Sequence, residues 1–286
     1  MGRAAALILA ALATGSVLAQ EPAIEATQVG VSIVRCLVYR DGRPMVSADE
    51  FEAIARAIRA VAPDAIVGCG TVGSFAELNR NRPPTRSAAV LAWSVCPQVH
   101  GSDDDTLIES LQGLGAAVGT ARSFAPTAHL AVGPICFWRT PDPFAAGNDG
   151  TPRPAIPDVR LHTAFGAAWT LGCISTLANA RADSMTLYQT NGALGVNDGN
   201  TDAPLYNLFR EIGEFAHGQV LECVMSEPLR IAALAIRLGG LVRVWIASMA
   251  SGETEIKLTG LFGGRLFRFS GVEVKCHDFD LLKESM

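Results

Sequence analysis

The chain has 286 residues, 49% of them hydrophobic and 18% charged, with a formal charge of −5 and a mean hydropathy of +0.26. That composition excludes a disordered chain, and the mild acidity argues against a general nucleic-acid binder, which carries a basic excess. Seven cysteines at wide intervals in a chain this long do not make a disulfide scaffold, and the length suits one large domain or two ordinary ones.

Residues 1–19 carry one Arg, an apolar run from Ala4 to Ala13 and small residues ending at Ala19. This is the form of a secretory signal peptide, cut after Ala19, which would export the protein to the periplasm. An Ala/Leu-rich helix of a cytoplasmic protein has the same composition. The run is shorter than the roughly 20 residues a membrane span needs, and no other segment is long and apolar enough, so no membrane partner is expected.

From Ile24 to Glu222 short apolar runs alternate with helix-like segments. The runs are Val31–Tyr39, Ala65–Cys69, Ala88–Cys96, Leu130–Trp138 and Ser184–Gln189. Their near-continuous apolar character predicts strands buried on both faces, as in a parallel sheet. Ser47 and Glu50 have capping-box spacing, and Phe51, Ile54, Ala55 and Ile58 follow at helical intervals until Pro63. Asp103, Asp104 and Asp105 open a second helix with Leu107, Leu111, Leu114 and Val118 along one stripe. His162 to Ala180 predicts a third helix and Leu205 to Ala216 a fourth. Strand and helix in turn predict an α/β fold.

The pattern changes at His217-Gly218. Gln219–Val224, Ile231–Leu238, Val242–Ala247, Glu255–Leu261 and Leu266–Val274 read as short strands with Gly-rich turns between them. They predict a small antiparallel β domain, a sandwich, over residues 218–286. The α/β domain then covers residues 20–217.

Two loops stand out, Ser74–Arg86 and the Pro-rich Arg139–Val159. Both follow strand carboxyl ends, where parallel α/β folds carry their chemistry. Reading the strand ends in order yields Glu77, Asn79 and Arg80, then Gln98, His100 and Asp103, then Arg122 and Arg139, then Gln189 and Asn191. A carboxylate, an imidazole, arginines and amides on one face suit a polyhydroxylated ligand and the stabilisation of an oxyanion. Each has a plainer reading beside it. Glu77 can cap a helix or pair with Arg80. His100 can support a neighbour, Asp103 can be an N-cap, and Arg122 can bridge helix and sheet. The cysteines lie in apolar runs and read as buried thiols. Cys and His spacing matches no zinc site, and neither a phosphate loop nor a Gly-x-Ser-x-Gly elbow is present.

Six segments in matching order carry a resemblance: GCGTVGSFAELNRNRPP (68–84), CPQVHGSDDDTLIESL (96–111), TARSFA (120–125), AFGAAWTLG (164–172), SMTLYQTNGALGV (184–196) and PLYNLFREIGEFAHG (204–218). Together they resemble bacterial D-apionate lactonases, from about Val34 to about Leu261. The resemblance implies a TIM barrel of glycoside-hydrolase type followed by a β-sandwich, opening of D-apionolactone to D-apionate by water, and no metal or organic cofactor. The partner implied is a small sugar lactone. In this setting Glu77 or His100 is the expected general base. Asn79, Arg80, Gln98, Asp103, Arg122, Arg139, Gln189 and Asn191 are the expected binding residues.

Two departures accompany it. The family motif has Glu at the position of Gln189, and Gln does not ionise. Only about five barrel strands are legible, whereas a closed barrel has eight in about 250 residues. The matching part is then the later barrel strands plus the sandwich. On that view the first residues are the stub of an earlier barrel helix rather than an export signal, and the open barrel edge invites an oligomer. A glycosidase-like hydrolase and a non-catalytic sugar-binding relative stand as alternatives.

Overall fold

The computed structural model describes residues 6–13, 32–40, 45–84, 88–139, 155–250, 254–259, 264–270 and 273–279. The leading strands and helices are β1 (Ala6–Ala13), β2 (Ser32–Arg40), α1 (Ala48–Val61), β3 (Ile66–Ser74), α2 (Phe75–Arg80), β4 (Val90–Val95), α3 (Asp104–Phe124) and β5 (His129–Ile135). A single 3-10 turn, Val159–His162, precedes α4 (Ala164–Asn179) and β6 (Ser184–Leu187). The short strands β7 (Gln189–Asn191) and β8 (Gly195–Asn197) lead to α5 (Pro204–Gly213). Then come β9 (Gln219–Leu221), β10 (Ile231–Leu238), β11 (Leu241–Ser248), β12 (Gly264–Ser270) and β13 (Glu273–Phe279).

Strands β1 to β6 form one parallel sheet in chain order, an open portion of a TIM-type barrel. The five expected runs became β2 to β6. Where a helix was expected, Ala6–Ala13 is a strand in parallel register with β2, from Ala6↔Ser32 to Ala13↔Arg40. A short run of Ala, Leu and Ile has no period that separates helix from buried strand, so the neighbouring strand decides. The positive residue Arg3 and the cleavage site after Ala19 lie outside the described residues.

The chain divides into two compact units. One comprises Met1–His100, Gln112–Cys136 and Leu177–Tyr188; the other comprises Gly101–Leu111, Phe137–Thr176 and Gln189–Met286. In the first, α1 packs on β2 and β3. The expected capping box is present: Glu50 N–H donates to Ser47 Oγ at 3.4 Å, and Ser47 N–H donates to Glu50 Oε2 at 2.9 Å. Phe51, Ile54, Ala55 and Ile58 are buried against Cys36, Val38, Val67 and Cys69. Full burial of each large apolar side chain stabilises by about 1.5–3 kcal/mol. A second cluster holds Leu37, Tyr39, Val90, Ala92 and Ala131; on β2 its Leu37 and Tyr39 alternate with Cys36 and Val38 under α1, as a period-two strand requires.

In the second unit, α4 and α5 pack on the antiparallel sheet β11-β10-β9. Leu171, Phe215, Ala232, Leu234, Ile236 and Trp245 form its core. Phe215 meets Trp245 edge-to-face at 5.7 Å, and Arg243 lies 4.5 Å over Phe215 while pairing with Glu211 and Glu214, each at 2.7 Å. Trp169, with no solvent exposure, donates its indole N–H to Leu107 O at 2.7 Å. Two β-domain expectations change. Residues 254–259 are irregular rather than a strand, and residues 260–263 lie outside the described set. Leu266–Val274 is not one strand but parts of two, β12 and β13, paired antiparallel from Gly264↔Phe279 to Ser270↔Glu273. The apolar alternation runs on through Ser270-Gly271, the turn signal that divides them.

Candidate active site

All six sheet strands run the same way, so their carboxyl ends share one rim. At the end of β3 the buried Thr71 accepts the Gly73 N–H at 3.0 Å through Oγ1 and donates to Glu77 Oε2 at 3.4 Å. Glu77 stands in the first turn of α2, and its hydrogen-bond partner is Thr71 rather than Arg80. The carboxylate folds back over Gly73 so closely that a Cβ there would lie 1.9 Å from Oε2. Gly73 is therefore what lets an exposed carboxylate approach the strand end. Ser94 Oγ on β4 reaches Val72 O at 2.7 Å and Gly73 O at 3.0 Å, which ties the β3 end to its neighbour.

Beyond β4, Gln98 is 3% exposed while His100 is exposed. Asn79 and Arg80 are exposed on α2, and Asn79 Oδ1 accepts from Arg82 Nη2 at 3.0 Å and Nε at 3.3 Å. Glu77, Asn79, Arg80, Gln98 and His100 thus all follow carboxyl ends within the first unit.

Arg122 does not join them. It stands in the last turn of α3, at the amino end of the strands. Its guanidinium donates to Ala128 O at 2.6 Å and to Asp183 Oδ2 at 2.7 Å, and the same Asp183 oxygen accepts the Leu130 N–H at 2.8 Å. The expectation that Arg122 belongs to the strand-end set is corrected: the helix returns it to where β5 and β6 begin. Burial works to raise the Asp183 pKa. The Leu130 N–H and Arg122 outweigh that and hold the carboxyl below its ordinary value.

Asp103, Arg139, Gln189 and Asn191 lie in the second unit. Asp103 is an N-cap, accepting from Thr106 N–H at 2.9 Å and Thr106 Oγ1 at 2.7 Å, and those bonds hold its carboxyl low. Arg139 exchanges two backbone hydrogen bonds with Ile156, at 3.0 and 3.2 Å, and its side chain is exposed. Gln189 and Asn191 are exposed on β7, where Gln189 N–H donates to Leu194 O at 3.2 Å. The centre of the Pro-rich loop, residues 140–154, lies outside the described residues.

Sequence reading missed several polar groups. Arg160 donates to Asp158 at 2.6–3.2 Å, to Ser102 O at 2.7 Å and to Asp104. It fastens the end of the long loop to the start of α3. The signal available was Asp158-Val159-Arg160 just ahead of a helix. His162 Nε2 lies 2.8 Å from Gly195 O and Nδ1 lies 3.8 Å from Asp198. A carbonyl only accepts, so Nε2 carries the hydrogen and is not a base. At the amino ends, Arg35 Nη1 donates to Ser184 Oγ at 2.9 Å, and Arg35 Nη2 and Ser184 Oγ lie 3.0 and 3.1 Å from His129 Nε2. Among the described residues no cluster of three or more His, Cys, Asp or Glu could hold a metal, and no helix is long and apolar enough to cross a membrane.

The family described as D-apionate lactonase, TIM barrel domain, matches residues 10–218, a span that begins inside β1 and ends where the antiparallel sheet begins. The D-apionate lactonase of Brucella anthropi is 24% identical over 196 residues. That match takes in 64% of this chain and 32% of the relative, so the chain aligns with about a third of the relative's length. Among solved structures, the endo-beta-1,4-mannanase of Thermotoga petrophila is 8% identical with a TM-score of 0.41, over 87% of this chain and 58% of that one. A glycoside hydrolase family 5 mannosidase from Rhizomucor miehei is 16% identical with a TM-score of 0.38, over 56% and 40%.

Proposed function

The chain belongs to the D-apionate lactonase TIM-barrel domain family, and on that footing we propose that it is a hydrolase that opens D-apionolactone to D-apionate. In this reading water attacks the lactone carbonyl carbon, the ring C–O bond breaks, and the released alkoxide takes a proton. The observation that carries it is Glu77. It is an exposed carboxylate at a strand carboxyl end, held by one hydroxyl at 3.4 Å and seated over a glycine. Ionised, it only accepts, so it can take the proton of the attacking water; such general-base help is worth about 10²–10⁴ in rate. His100, exposed beyond β4, is the alternative base, and whichever group takes the proton of the water returns it to the leaving oxygen. Asn79, its Oδ1 occupied by Arg82, offers its amide nitrogen as a donor to the tetrahedral oxyanion. Within the same unit Gln98 holds a hydroxyl group and Arg80 meets the carboxylate of the product, while Arg139, Gln189 and Asn191 belong to the second unit. Arg122 and Asp103 serve the fold instead. Asp103, the second carboxylate that a glycosidase mechanism would call on, is taken up by Thr106.

One observation favours a second reading. Gln189 stands where the resembling motif has Glu, and an amide there binds without ionising. The chain is then a sugar-binding relative without turnover. Titrating the purified protein with D-apionolactone by calorimetry, while following acid release at constant pH, separates the two. Acid release above the buffer rate supports the hydrolase. Saturable heat without acid, converted to turnover by Gln189→Glu, supports the binder. Neither heat nor acid removes both.

A further inference from the structure

The cysteines are not equivalent. Cys36, Cys69 and Cys173 are each buried among apolar side chains, and burial alone pushes Cys69 and Cys173 up to about 12. Such thiols are inert. Cys96 and Cys136 differ in placement. Cys96 follows the last residue of β4 and Cys136 the last residue of β5, and those last residues, Val95 and Ile135, are register partners. Cys136 N–H donates to Val95 O at 2.9 Å, and Cys136 Sγ also donates to Val95 O at 3.3 Å. Each cysteine is therefore one step beyond a paired position on adjacent strands, about 4.7–4.9 Å apart, inside the Cα separation of about 4.4–6.8 Å that a disulfide spans. The Cys96 sulfur is close enough to act on the Cys136 thiol. Cys96 is half-buried and Cys136 is 4% exposed, so an oxidant reaches Cys96 first. The Cys96 sulfur and burial both push the Cys136 thiol up. Two residues after Cys96 stands the buried Gln98, which puts the pair at the rim that carries Glu77.

We propose that Cys96 and Cys136 are a covalent modification site, a dithiol that closes to a disulfide when the protein meets a peroxide. The Cys96 sulfur, as thiolate, attacks one oxygen of hydrogen peroxide. The O–O bond breaks, and the departing hydroxide leaves as water, so Cys96 becomes a sulfenic acid. The Cys136 sulfur then attacks the Cys96 sulfur. The S–S bond forms, the S–O bond breaks, and the second hydroxide leaves as water with the Cys136 proton. Two thiols and one peroxide become one disulfide and two waters, with two electrons passing from sulfur to oxygen.

The test uses the full chain. Treat it with hydrogen peroxide, stop the reaction, alkylate every remaining thiol in denaturant, and measure intact mass and tryptic peptides. Cys96 and Cys136 fall in neighbouring single-cysteine peptides, Ser87–Arg122 and Ser123–Arg139. The expected result is two fewer alkylated thiols than the seven of the reduced chain, a loss of two hydrogens, and those two peptides linked. Dithiothreitol restores all seven. Cys96→Ser should leave Cys136 alkylatable after the same dose, and Cys136→Ser should leave Cys96 carrying added oxygen with no linked peptide. The wild-type link is read without either variant, so a variant that fails to fold does not blunt the test. Oxygen added to Cys96 with Cys136 still alkylated, a link to another cysteine, or seven thiols untouched would each overturn the proposal.

Discussion

Gly70 lies in β3, on the side that pairs with β4. It pairs with Ala92, and a Cβ added to it would lie 1.9 Å from Ala92 O, 2.7 Å from Ala92 C and 2.9 Å from Ala92 N. These are backbone atoms of a fully buried residue, so no side chain can swing aside. Bringing 1.9 Å to the 3.4 Å of an ordinary contact requires the strands to part by about 1.5 Å. A hydrogen bond near 2.9 Å does not survive that opening, and each ladder bond lost costs about 1 kcal/mol. Adding the about 1–3 kcal/mol of an overpacked core, Gly70→Ala should destabilise by about 3–5 kcal/mol. Gly113 in α3 is the control. A Cβ there meets nothing within 4 Å, so Gly113→Ala should stabilise by about 0.5–1 kcal/mol through helix propensity alone. Urea unfolding of both variants and the parent, followed by circular dichroism, reads the two signs in one experiment. A Gly70→Ala variant within 0.5 kcal/mol of the parent, or two variants that shift the same way, would refute the close approach of β3 and β4.

Further outcomes follow from the polar groups at the amino ends of the strands. Arg35 can only donate, so His129 Nε2 is the acceptor and the neutral ring carries its hydrogen on Nδ1. Burial, then the Arg35 charge, holds the His129 pKa below the ordinary 6.5. The unfolded chain therefore takes up this proton first, and stability should rise with pH up to about 6.5 and level off above it. His129→Gln should flatten that rise in midpoints measured from pH 5 to 8; an unchanged slope would count against the assignment. Arg122→Ala should cost about 1–2 kcal/mol, the lower part of the range for charged hydrogen bonds because both partners are over a third exposed, and should leave the KM for lactone unchanged. A raised KM with unchanged stability would return Arg122 to the ligand. With the Asp183 carboxyl depressed, its share of stability is present above its ordinary pKa and disappears as pH falls through the folded value. Asp183→Asn should remove that acid-side loss in the same titration.

Five of the six sheet strands were legible because parallel strands buried on both faces show as apolar runs, from Ser32–Arg40 to Ser184–Leu187. Ala6–Ala13 was not, since its composition suits three environments and only β2 selects among them. The hairpin β12-β13 hid behind continuous alternation. Glu77, Asn79, Arg80, Gln98 and His100 follow strand ends in the structure as they do in the sequence. Arg122 misled because it lies only a few residues ahead of β5 in sequence, while the end of the strand it joins depends on the path of α3. Thr71, the residue that holds Glu77, was visible only as a strand terminus. The bonds of Arg35 to His129 and of Cys136 to Val95 cross between strands far apart in sequence, and no local spacing announces them. Periodicity reports which face is buried; pairing between distant segments comes from register.

The reading of this chain as a lactonase rests most directly on Glu77, and one kinetic comparison tests it. Purified wild type and Glu77→Gln are given D-apionolactone, and acid release is followed at constant pH, with circular dichroism verifying the fold of both. The account predicts release above the uncatalysed rate for wild type and a loss of about 10²-fold or more in Glu77→Gln. Acid release by wild type no faster than buffer, or a folded Glu77→Gln variant that works as well as its parent, would contradict it.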